Sequence, residues 1–225
     1  MSIIKRFVGF TILIAVILCP LTSMTGCNDA PIEKVADSTQ LPQPPGQAFL
    51  VKSDNGTPIK INLERLKRTF EASIAKGTSF FSQDLLSNLS QETLQMTNEE
   101  NGWRLALKPG IRVQLDQNSL VLFEGAAQFE FRKVGNNFKV KIPGAQLGIR
   151  GTRFDVTLAP DHSARVVLYE GKVAIERSGK EDILEPGQTA LIGADGNRVE
   201  IGQTPADLPA MFQGLPPEKA KETVR

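Results

Sequence analysis

The stretch RFDVTLAPDHSARVVLY, residues 153–169, decides how this chain folds. Phe154, Val156 and Leu158 alternate with Arg153, Asp155 and Thr157, the period of two that places one set of side chains on each face of a strand. Turn-forming residues follow, and apolar positions resume at Val166 and Leu168. Setting Val156 opposite Leu168 and Leu158 opposite Val166 makes the apolar faces coincide and leaves a five-residue connection from Pro160 to Ala164. A slip of one residue would bury the charged set, so the hairpin has one sensible parity.

Outward from this hairpin the same pattern recurs. Short alternating runs fall at Ala48 to Lys52, Pro58 to Ile61, Trp103 to Lys108, Ile111 to Leu115, Leu120 to Glu124, Ala127 to Lys133 and Phe138 to Ile142. Further runs cover Lys172 to Arg177, Asp182 to Glu185, Thr189 to Ile192 and Arg198 to Ile201. Glu170-Gly171, Ser178-Gly179, Pro186-Gly187 and Asp195-Gly196 punctuate them as turns. Brief strands at this spacing predict an all-β domain, a sandwich or barrel-like core, over residues 48–202. One segment breaks the pattern. Leu63, Leu66, Phe70 and Ile74 fall at helical spacing, with Asn62 and Gly77 as caps, and predict one short accessory helix near residues 62–76. A helical turn is also expected at Ser82 to Leu89.

The N-terminus fixes location. Lys5 and Arg6 precede an apolar run from Phe7 to Cys19 that would rise only about 20 Å as a helix, against a hydrocarbon core of about 30 Å. Residues 1–26 therefore read as a signal peptide. The sequence LTSMTGC ending at Cys27 resembles the bacterial lipobox, with Gly26 fitting and Met24 departing from the usual Leu. The resemblance implies that Cys27 is acylated and becomes the new N-terminus, tethering the chain to a bilayer. Asn28 resembles the residue that follows the cysteine in outer-membrane lipoproteins. Residues 27–47, with Pro31, Pro42, Pro44 and Pro45, are expected to form a flexible linker able to reach tens of ångströms. Residues 203–225 are expected to form a Pro-rich tail.

Composition narrows the partners. The chain carries 26 basic and 25 acidic residues and no dense Lys/Arg run, so it offers no electrostatic footprint for nucleic acid. Only two cysteines occur, and Cys19 would leave with the signal peptide, so no internal disulfide is expected and no cysteine pair exists for metal or redox chemistry.

At residues 138–192, FKVKIPGAQLGIRGTRFDVTL, then VVLYEGKVAIER, then ILEPGQTALI, the chain resembles the FecR domain. The matching residues are Arg150, Gly151, Thr152 and Phe154, then Glu170 and Gly171, then Pro186 and Gly187 with Gln188. The likeness is plainest over Val113 to Ile201. Turn geometry at Gly151 and Gly171, core area at Phe154 and an ion pair between Arg150 and Glu170 would account for these types, so structural roles are expected. The resemblance also implies a signalling context. Familiar members contact a cytoplasmic sigma factor through a segment that this chain, with six residues before its apolar run, would not supply. No direct sigma-factor contact is therefore expected.

Catalysis has little to rest on. His162 is the only histidine and lies in a turn beside Ser163, a sequence neighbour rather than a positioned nucleophile. Glu99 and Glu100 read as loop charges, and Trp103 reads as packing rather than a sugar platform. Asn88 begins an accidental glycosylation pattern. The expectation is a noncatalytic envelope lipoprotein, without cofactor or metal, that binds an unidentified envelope protein or glycan. A purely structural anchor and a glycan-acting enzyme are the alternatives.

Overall fold

A computed structural model describes residues 31–48, 50–132 and 138–206. Sixteen strands form one hydrogen-bonded network that folds over on itself, because three long strands run through both halves. These are β10 (Ser119–Phe131), β12 (Ala145–Leu158) and β13 (Ala164–Arg177). Each bends at a glycine with positive φ, at Gly125 (89°), Gly151 (62°) and Gly171 (82°), a region that residues with a Cβ seldom adopt.

Pairing changes at these bends. The first layer begins with β1 (Glu33–Val35), β4 (Arg68–Ile74), β3 (Ile59–Arg65), β6 (Leu85–Asn88) and β9 (Arg112–Asp116). It continues through the first half of β10, β11 (Lys139–Ile142), the first half of β12, the second half of β13 and β14 (Lys180–Leu184). The second layer runs from β5 (Ser79–Phe80) through β2 (Val51–Ser53), β7 (Leu94–Asn98) and β8 (Trp103–Leu107) to the other halves of β10, β12 and β13. It ends with β15 (Gln188–Ile192) and β16 (Val199–Gln203). Among the described residues only β1–β4 and β10–β11 pair in parallel.

The inner faces of both layers share one core. Ile61, Leu63, Phe70, Val113, Leu147 and Val173 come from one side, and Leu105, Phe129, Phe154, Val156, Val166 and Leu168 from the other. Trp103 belongs to it too, with ring centroids 4.6 Å from Phe138 and 5.8 Å from Phe131. The arrangement is an open β-sandwich.

Four sequence expectations change. The helix near residues 62–76 is a hairpin, β3 and β4, joined at Leu66 and Lys67. Ile59, Ile61, Leu63 and then Phe70, Ala72, Ile74 alternate within each strand and are buried, whereas the helical reading counted across the turn and included Leu66, which is exposed. Asn62 lies within β3, and Gly77 (φ 86°) sits in a turn that the Thr78 N–H closes on the Ala75 carbonyl, its own N–H donating to the Ser53 carbonyl. Residues 82–89 hold a turn and strand β6 instead of a helical turn. The decisive hairpin is offset by two residues from the expected register: Val156 opposes Val166, Phe154 opposes Leu168 and Leu158 opposes Ala164. An even offset keeps every side chain on its expected face.

The fourth change concerns residues 27–47. From Glu33 onward this stretch is docked. β1 pairs with β4, Asp37 caps a 3-10 turn at Ser38–Gln40 by accepting from the Thr39 N–H, and Leu41 is buried. The Pro42 carbonyl accepts from Arg65 Nη1 at 3.0 Å. Arg65 also donates from Nε to Asp84 at 2.8 Å, forming an ion pair in which both side chains are almost wholly buried. Burial pushes the Asp84 carboxyl up, while the Arg65 guanidinium and the Phe81 N–H pull the other way. Proline content suggested a free tether, but Val35, Leu41 and Pro44 supply enough apolar contact to hold the strap.

Candidate functional site

The motif residues assemble at the corner where β12 and β13 bend together. Gly151 and Gly171 meet there, and a Cβ on Gly171 would lie 2.1 Å from the Gly151 carbonyl oxygen. Thr152 is buried at the same bend and Phe154 is fully buried, its ring centroid 5.0 Å from that of Phe129. Arg150 is exposed and lies opposite Lys172, so it does not meet Glu170. The bulge at Gly151 and Thr152 shifts the register, and Arg153 takes that role, its guanidinium 3.1 Å from the Glu170 carboxylate. Glu170-Gly171 is thus a bend inside one strand rather than a turn between two.

Pro186 and Gly187 form the tight turn from β14 to β15. Gly187 donates to the Leu168 carbonyl at 2.8 Å and accepts from Thr204, while the Gln188 side chain accepts from the Glu185 N–H at 2.9 Å. Gln188 therefore closes the turn from within, and the turn docks on β13 close to the glycine corner.

The face of the second layer that points away from the core carries a polar constellation that local sequence did not single out. Asp155 is completely buried there, accepting from Gln128 Nε2 at 2.9 Å and from the Tyr169 hydroxyl at 2.7 Å. Arg104, Glu130, Arg153 and Glu170 form a charge-alternating row beside it, across four neighbouring strands. The Arg153 guanidinium lies 5.5 Å from the Tyr169 ring centroid. Each residue was visible in the sequence, but only the register of four strands makes them neighbours. Further along the same face an open depression is lined by Thr157, Ser163, Arg165, Leu191, Arg198 and Glu200.

His162 sits in the β12–β13 loop at φ 64°, donating its N–H to the Ala159 carbonyl, and is exposed. The Ser163 hydroxyl donates to Asp161 at 2.7 Å rather than to His162, and holds the Asp161 carboxyl below the usual range. Glu99 and Glu100 lie in the β7–β8 turn. Asn88 is buried, donating to the carbonyls of Glu92 and Leu107, and so is closed to glycosylation in the folded chain. Among the described residues no group of three His, Cys, Asp or Glu is placed to hold a metal ion, and no helix is long and apolar enough to cross a membrane. Cys27, the expected signal peptide at residues 1–26 and most of the expected C-terminal tail lie outside the described residues.

Residues 96–174 match the FecR protein family, so the strands from β7 to the bend of β13 carry the FecR signature. The match covers the glycine corner and stops short of Pro186 and Gly187. Two crystal structures of a proposed anti-sigma factor from Parabacteroides distasonis, at 1.65 and 2.50 Å resolution, each share 21% identity with this chain at a TM-score of 0.45. Each alignment covers 53% of this chain and 59% of that one. No curated protein matches the sequence.

Proposed function

We propose that this chain is a cell-envelope lipoprotein, held in a bilayer through acylated Cys27, whose noncatalytic FecR-type domain binds another envelope component in a signalling role. The FecR match over residues 96–174 carries the reading, because that stretch builds the strands that cross both layers. It supports recognition on a preformed surface. The row Arg104–Glu130–Arg153–Glu170 gives that surface alternating charge, which favours register-specific docking over raw affinity. Asn28 supports placement in the outer membrane.

Three measurements test this. Cys27→Ser should abolish fatty-acid labelling and release the domain from membranes; retention after a high-salt wash would refute the lipid anchor. A photocrosslinker at Arg132, beside the charged row, should capture one dominant envelope partner in intact cells. Turnover of an envelope glycan by the purified protein, lost on changing a specific carboxylate, would overturn the noncatalytic reading.

A further inference from the structure

We infer that the β3–β4 turn, Leu66-Lys67, together with Ile32, is a membrane-contact tip that rests on the phospholipid surface beside the anchor; the inference rests on acylation of Cys27. The parallel pairing of β1 with β4 sets the geometry. Glu33 lies opposite Phe70, and Arg68 Nε donates to the Glu33 carboxylate at 2.7 Å, so the chain enters β1 alongside the β3–β4 turn. Only residues 28–32 separate Cys27 from β1. Six Cα steps span at most about 20 Å. Leu66 lies beyond Arg68 toward the anchor, so the turn reaches a headgroup layer about 5–8 Å thick per leaflet.

The residues suit that position. Leu66 and Lys67 have φ of 52° and 61°, the two-residue hairpin geometry that favours Asn and Gly. A leucine here forgoes the favoured backbone chemistry, and its side chain, 51% exposed, packs into no core. Ile32 is 55% exposed on the adjoining strand entry. Lys67 is exposed within the turn itself, and Lys34 is exposed on β1 two residues past Ile32, opposite Glu71. Apolar tips flanked by cations fit an interface where side chains enter the acyl boundary and ammonium groups meet lipid phosphates.

Leu89, 50% exposed, lies past the end of β6 at the opposite end of the layer and is the matched control. Because the Cys27 thiol would be blocked by its lipid, Leu66→Cys or Leu89→Cys introduces the sole free thiol of the mature full chain. Each variant is labelled with an environment-sensitive fluorophore and reconstituted in phosphatidylethanolamine–phosphatidylglycerol vesicles containing headgroup-level nitroxide lipid. The expected result is several-fold stronger quenching at Leu66 than at Leu89. Equal or absent quenching in protein that carries the acyl mass and floats with the vesicles would overturn the tip while leaving the anchor intact. Absence of acyl mass on Cys27 would overturn both.

Discussion

The carbonyl oxygen of Gly151 occupies the space that a Cβ on Gly171 would need, 2.1 Å away. Two bending strands can approach this closely only where neither carries a side chain, so the pair fixes the angle at which β12 and β13 pass from one layer to the other. Gly171→Ala should therefore lower the thermal midpoint sharply or prevent soluble expression. Gly179→Ala, whose position has positive φ but open space around it, should cost only the left-handed backbone penalty of about 1–2 kcal/mol. Comparable melting of the two variants would show that strain and not contact governs the corner.

Phe154, fully buried against Phe129, supplies the core beneath that corner. Phe154→Ala should destabilise the protein by about 3–5 kcal/mol in denaturant titration with little change in slope.

Arg65 and Asp84 form a buried pair that also ties down the Pro42 carbonyl. Arg65→Met strands the carboxylate without its cation and should cost about 3–5 kcal/mol. Combining it with Asp84→Leu should recover part of that loss, a non-additivity measurable by a double-mutant cycle. Additive losses would mean that Arg65 acts only through the bonds it donates to the Pro42 carbonyl and, at 3.1 Å, to the Ser79 carbonyl.

Asp116 has its carboxyl held below the usual range, first by the Gln117 N–H at 2.8 Å and then by the hydroxyls of Ser82 and Ser119. Because its folded pKa is depressed, its contribution is present above the unfolded value and is lost as pH falls through the folded one. The stability gap between the native chain and Asp116→Asn should thus be widest near neutrality and close below about pH 4. A gap independent of pH would remove Asp116 from the titrating set.

The alternation at Phe154, Val156 and Leu158 was legible because a half-buried strand writes its period directly into the chain, and so was the two-residue turn at Ser178-Gly179. What escaped was any feature set by distant pairing. Leu63, Leu66 and Phe70 satisfy a helical period by coincidence, since a two-residue turn between alternating strands places apolar residues three and four apart. Glu170-Gly171 looks like a turn because glycine permits both a turn and a strand bend, and only the partner strand decides between them. Asp155 read as an outward polar residue, and its burial depends on Gln128 and Tyr169 arriving from neighbouring strands. Residues 33–47 resembled a linker because they carry few large apolar side chains, and much of what holds them is supplied by β4, Arg65 and Arg68.

The long strands shared by the two layers also impose an order on synthesis. Strands β1 to β7 lie within residues 33–98, whereas β10, which pairs with both β8 and β9 and so joins the two groups, ends only at Phe131. A chain made from its N-terminus thus exposes its rims before the centre that will hold them exists. Pairings this distant in sequence close slowly. The early segments present open backbone edges until β8, β9 and β10 emerge to pair with them, and protection of those edges in the interval is part of how the chain reaches its native state.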